Sequence, residues 1–200
     1  MLRAPATNFP SYITSSSYFT IGDGWSAMPG NTALRRALDE AITTKYPEIY
    51  REAIERLRRE FAHSIAILPD GEGRTRRFNC FAYGLGVWEH PGFIRRVDDA
   101  GHSAILSSTI VRAMIDDGTL KSVAADKAQP GDVVVYFRKD SVTHAAVLVE
   151  GGTCRSKWGG DEVHAHGLWE VPAQYGGRVC YYRAPKAEAV LARISGTNER

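Results

Sequence analysis

The hydrophobic period of the chain changes at Pro130-Gly131, and that change decides what it can fold into. Before it, apolar residues recur at helical spacing. Leu34, Leu38 and Ile42 follow a capping Asn31-Thr32, Ile49, Ile54, Leu57 and Phe61 form a second stripe, and Ile105, Ile110 and Met114 form a third. After it, the runs DVVVYF, THAAVLVE, TCRSKW and RVCYYR are β-rich and separated by turn residues. Helices first and antiparallel strands second define the α+β class. The expectation is a sheet of about four or five antiparallel strands over 132–183, with a mostly helical region before it.

Smaller features mark the elements. Residues 1–31 read as an irregular arm carrying Tyr12, Tyr18, Phe19 and Trp25. A helical region over 31–67 is broken at Tyr46-Pro47, because proline turns the preceding residue away from helical angles. Residues 69–73 form a loop, and Arg74, Arg76 and Arg77 after it read as solvated. Residues 77–93 suggest a buried helix ending before Pro91, and 104–117 another, stopped by Gly118. Glu150-Gly151-Gly152-Thr153 is a hairpin signal, and the tail after Lys186 is helical in character. The expected organisation is an arm and helical extension over 1–74, a core over 75–185 and a tail over 186–200.

Composition removes several function classes. With 25 Lys+Arg against 23 Asp+Glu, the chain lacks the basic surplus of a nucleic-acid binder. No apolar run reaches the ~20 residues of a membrane span, and the opening MLRAPATNFPSYITSSS lacks the apolar stretch of a secretory signal. Neither nucleic acid nor membrane is an expected partner. The three cysteines are too few and scattered for a disulfide framework, so synthesis in the reducing cytoplasm is expected. Export by a route without a cleaved signal is compatible with that.

Two residues carry the candidate chemistry. Cys80 follows Asn79 at the start of a helix, where the dipole and unpaired N–H groups favour a thiolate and an oxyanion. The other assignment for Cys80 is a small buried core residue. His144 opens the strand THAAVLVE, one face of which carries His144, Ala146 and Leu148 and the other Ala145, Val147 and Val149. Both faces are apolar, so this strand is central. A cysteine nucleophile needs an imidazole within reach on a different rigid element, and His144 is the candidate. His144, His164, His166 and Cys154 are metal-ligand types, but no Cys-x-x-Cys or His-x-x-x-His spacing is present. No metal or other cofactor is expected. Cys154 and Cys180 lie inside strands and read as inert, and Trp88, Trp158 and Trp169 as core or cleft wall.

The ordered set Asn79-Cys80-Phe81-Ala82-Tyr83, then Pro130-Gly131-Asp132 leading into Val133–Phe137, then Thr143-His144-Ala145-Ala146-Val147 resembles the NlpC/P60-type papain-fold cysteine peptidases and amidases. Ser156-Lys157-Trp158-Gly159, His164 or His166, and Tyr175-Gly176 resemble a poorly characterised group within that superfamily. The resemblance covers about residues 75–185 and implies a papain-like fold and a Cys80–His144 thiolate mechanism. It implies an amide substrate: a peptide, an isopeptide or a glutamine side chain, with peptidoglycan stem peptides as the usual substrate of the superfamily. Asn79 and the backbone N–H of Cys80 would hold the oxyanion, with Lys157 as a further oxyanion or cleft residue. Family spacing puts the residue that orients the imidazole at Ser156. A two-residue turn at Gly151-Gly152 would instead bring His144 toward Lys157 and Gly159, and a bulge would restore Ser156. Ser156 and His164 both stand as candidates. The alternative to an enzyme is a non-catalytic protein-binding module on the same fold.

Overall fold

A computed structural model describes residues 20–21, 25–27, 31–43, 46–68, 78–100, 106–158 and 162–196. Tyr12, Tyr18, Phe19, His102, Gly159 and the arginines 74, 76 and 77 lie outside the described residues. The helices are α1 (Thr32–Ala41), α2 (Pro47–Glu60), α3 (Cys80–Gly84), α4 (Pro91–Ala100), α5 (Ser108–Asp116) and α6 (Ala187–Gly196). The strands are β1 (Thr20–Ile21), β2 (Trp25–Ala27), β3 (Ala66–Leu68), β4 (Ser122–Val123), β5 (Val133–Arg138), β6 (Ser141–Leu148), β7 (Thr153–Lys157), β8 (Val163–Gly167) and β9 (Arg178–Tyr182).

All the strands join one antiparallel sheet in the order β1-β2-β9-β5-β6-β7-β8-β3, with β4 also pairing β9. The expected α+β class and antiparallel sheet over 132–183 are therefore observed, with five strands in that interval. The sheet also reaches into the amino-terminal region, because β1, β2 and β3 extend both of its edges. The strands β1, β2 and β3 are thus hydrogen-bonded into the sheet, while α1 and α2 pack on one of its faces, as expected of the helical extension.

Local chemistry explains the helices. The Asn31 side chain caps α1 by accepting from Leu34 N at 3.2 Å, and Pro47 opens α2, where its missing N–H costs nothing. Ser107 caps α5 through Ile110 N at 3.3 Å, and Gly118 at φ 76 ends it. Two expectations need correction. The helix after Tyr46-Pro47 stops at Glu60, and Ile67 belongs to β3, since Ile65 and Ile67 continue as an alternating run. Residues 77–93 do not form one helix: α3 has five residues, a turn with Gly86 at φ 69 follows, and α4 begins at Pro91.

The sheet is covered on both faces. One apolar cluster joins α1 and α2 to Val134, Tyr136, Ala146, Leu148, Cys154 and Trp158. The other joins α3, α4, α5 and α6 to Val133, Val135, Phe137 and Ala145. Successive strand residues alternate between these clusters, as the pleat requires. No helix among the described residues is long and apolar enough to cross a membrane.

Candidate functional site

Asn79 does what a residue before a helix start does best. Its Oδ1 accepts from Ala82 N at 3.1 Å, and its Nδ2 donates to Leu106 O at 2.9 Å. The carbonyl end of the amide is committed to capping and one N–H to Leu106 O, so Asn79 anchors the start of α3. Cys80 is half-buried at the first position of α3. A five-residue helix supplies little macrodipole, so the thiol is governed by its immediate contacts.

Burial pushes the Cys80 thiol up to about 11. Backbone hydrogen bonds at Ala145, Phe81 and Cys80 itself, and then the charge of Lys157, pull the other way. These interactions favour the thiolate against the burial that opposes it. Lys157 has no exposed surface. Its Nζ lies 5.0 Å from the centre of the Phe78 ring, a cation–π contact that helps offset the cost of burial. Phe78 stacks with Trp88 at 4.8 Å and with Tyr83 at 6.1 Å, forming an aromatic wall beside α3.

Cys80 and His144 lie on opposite faces of the sheet. The Cys80 side packs on Ala145, and a methyl group added to Gly84 of α3 would lie 2.9 Å from the Ala145 Cβ. His144, the next residue, points the other way with its register partner Tyr136. Its ring stacks on Tyr175 at 3.9 Å, within the cluster under α1 and α2. The expected Cys80–His144 pair is therefore absent, and the physical reason is strand parity: α3 occupies the odd face and His144 the even one.

The turn register explains the rest. Leu148 pairs with Cys154 and Val147 with Arg155 across a turn in which Gly151 and Gly152 have φ 72 and 73. That connection is longer than a two-residue turn and puts Ser156, not Lys157, on the His144 face. Ser156 and His164 are register partners there, yet neither hydrogen-bonds His144. Ser156 Oγ bonds His166 Nε2 at 2.8 Å and accepts from Trp158 Nε1 at 2.9 Å. His164 Nε2 meets the Tyr50 hydroxyl at 2.6 Å. Neither serves as the orienting group for a catalytic imidazole. His166 Nδ1 lies 2.8 Å from Gly167 O, which can only accept, so the proton sits on Nδ1.

All three histidines are fully buried and held neutral. Burial, then His166 and His164, drives His144 well below the usual imidazole value. His164 falls to about 3 and His166 to about 4, burial being the main cause in each. Among the described residues no group of three His, Cys, Asp or Glu side chains is placed to hold a metal ion. Cys154, fully buried and within reach of Tyr136, is pushed up to about 12, and half-buried Cys180 is also raised by burial.

Sequence reasoning did not single out Tyr50, Arg35 or the Phe78–Tyr83–Trp88 wall. The wall carries a readable signal, aromatics at 78, 83 and 88 on either side of the cysteine. Tyr50 and Arg35 carry none, because their partners are more than 100 residues away.

Residues 71–183 match the family described as Domain of unknown function (DUF7689). No curated protein and no solved structure matches the chain.

Proposed function

We propose that this chain, which belongs to the DUF7689 family, is a papain-like cysteine hydrolase of amide bonds, with Cys80 as nucleophile and Lys157 as its charge partner. The observation that carries the reading is a fully buried lysine whose charge acts on a half-buried thiol at the start of a helix. Burying a lysine is costly, and a thiol shifted by burial with a charge and an aromatic wall beside it is a functional-site signature.

The steps follow from the groups present. The Cys80 proton passes to a base from solvent, and the Lys157 ammonium beside it favours the resulting thiolate. The thiolate adds to the carbonyl carbon, and the backbone N–H of Cys80 donates to the oxyanion. Collapse of the tetrahedral intermediate breaks the C–N bond, and the departing nitrogen takes a proton from solvent. Water then cleaves the thioester, restoring the thiol and releasing a carboxylic acid. The substrate is a peptide, isopeptide or glutamine amide. The resemblance to NlpC/P60 proteins adds peptidoglycan stem peptides to that class.

A second reading, a non-catalytic protein-binding module, draws support from the absence of an imidazole beside Cys80 among the described residues and from a thiol held near 11. Alkylation with iodoacetamide or an epoxide probe, mapped by mass spectrometry, separates the two. The hydrolase reading predicts that Cys80 reacts ahead of Cys180 and Cys154, with a rate rising as pH approaches 11. It also predicts that Cys80→Ala abolishes hydrolysis with the fold intact. Cys180, also half-buried, is the internal reference. If it reacts as fast as Cys80, the binding module replaces the hydrolase.

A further inference from the structure

We propose that the histidine-bearing face of the sheet is an acid-sensitive latch: protonation of His144, His164 and His166 releases the α1–α2 layer and the strap over 167–176, while the α3 side stays folded.

The geometry is a cluster of titratable groups sealed between two layers. His144 on β6 and His164 and His166 on β8 project from the same sheet face, each with 1% or less of its surface exposed. His144 Nδ1 and Nε2 have no hydrogen-bond partner, whereas the Glu162 backbone carbonyl favours protonation of His164. A proton added to His144 would meet neither a carboxylate nor an acceptor.

The groups around the cluster do not supply the missing negative charge. From α1 comes the Arg35 guanidinium, itself buried, and Asp39, which accepts from Gln174 N at 3.0 Å. From α2 comes the Tyr50 hydroxyl, from β5 Tyr136, and from β7 Cys154, Ser156 and the Lys157 charge felt by His164. From the strap come Tyr175, stacked on His144, and Glu170. Of the three histidines Glu170 acts on His166, it also acts on His63, and its oxygens already accept from Ser64 N, Ser64 Oγ and Gly167 N. Protonation therefore places two or three like charges in one sealed layer beside Arg35.

The layer that covers the cluster is the one with the means to leave. It is tied to the cluster by the Tyr50–His164 bond and to the strap by Arg35, which bonds the carbonyls of Val171, Pro172 and Gly176. On the α3 side His90 is only half-buried, and its Nδ1 accepts from Gly92 N at 3.1 Å.

The direction follows from where the protons bind. The closed state resists protonation down to about 4 at His166 and about 3 at His164. An opened layer exposes imidazoles that protonate near 6.5, so it binds more protons below that pH. Closure is at full strength above 6.5 and is lost as pH falls toward 4. Each histidine multiplies the opening constant by up to about tenfold per pH unit, so three raise it about 10⁴-fold between pH 7.5 and 5.

Hydrogen exchange read by mass spectrometry at pH 7.5 and 5.0, corrected for intrinsic exchange, tests this. The latch predicts that amides of α1, α2 and the strap over 167–176 lose protection by orders of magnitude at pH 5.0, while those of α3 and α5 keep theirs. His144→Phe keeps the stack on Tyr175 and removes one titrating group, so its acid response should shrink about 30-fold. His164→Gln, which retains an acceptor for Tyr50, should shrink it similarly and serves if the first variant does not fold. Equal protection at both pH values, simultaneous loss in every element, or variants that respond like the unmodified chain would each overturn the proposal.

Discussion

Arg35→Met is expected to destabilise the chain by about 3–5 kcal/mol, the cost of leaving several buried acceptors unpaired. Arg35 is 2% exposed. Its Nε donates to Val171 O at 3.0 Å and its Nη2 to Pro172 O at 3.2 Å and to Gly176 O. Its guanidinium also lies over the Trp169 ring at 5.6 Å. Methionine reproduces the apolar stem and none of the five donors of the head. The strap over 167–176 would lose its tie to α1 and, with it, the cover over His144. Arg36, the exposed neighbour, is the control, and Arg36→Met should stay within about 0.5 kcal/mol. Denaturant midpoints check both. A cost for Arg35→Met no larger than that of the control would show that the strap is held by other contacts.

Gly176→Ala should cost still more, above about 4 kcal/mol, enough to leave little folded protein. Gly176 sits at φ 100 and ψ −176, a region that only glycine occupies without strain. A Cβ there would run into the Phe137 carbonyl and lie 2.7 Å from Arg138 N, and both are backbone atoms of a central strand. Neither can step aside without breaking the β5 ladder. Gly151→Ala makes the comparison: φ is 72, but nothing lies within 4 Å of the added methyl, so about 1 kcal/mol is expected. Soluble yield and thermal midpoint separate the two. Similar values would mean that the strap shifts to admit a side chain.

These residues also show which parts of the structure the chain displays in its sequence. The switch of period at Pro130-Gly131 announces the sheet, and Asn79 announces the start of α3, because capping and alternation are local properties. The strands β1 and β3 are only two and three residues long, too short to show a period. The pairing of Cys80 with His144 fails for a definite reason. Alternation separates His144 from Ala145 clearly, but both faces of β6 are apolar, so nothing local says which face receives α3. The clue is steric: Gly84 and Ala145 are small where helix meets strand. Lys157 reads as a surface residue by type, and its burial comes from β7 lying inside the sheet under the Phe78 ring.

The account rests on Cys80 answering to Lys157 and not to His144. The direct measurement is the rate of Cys80 alkylation by iodoacetamide between pH 7 and 11 in three proteins: the unmodified chain, Lys157→Met and His144→Phe. Lys157→Met removes the positive charge that favours the thiolate, so its Cys80 rate should fall at least about tenfold, with the pH profile displaced upward. His144→Phe should leave both rate and profile unchanged, because His144 lies across the sheet from the sulfur. A rate that collapses in His144→Phe and survives in Lys157→Met would contradict the account and restore the Cys80–His144 pair.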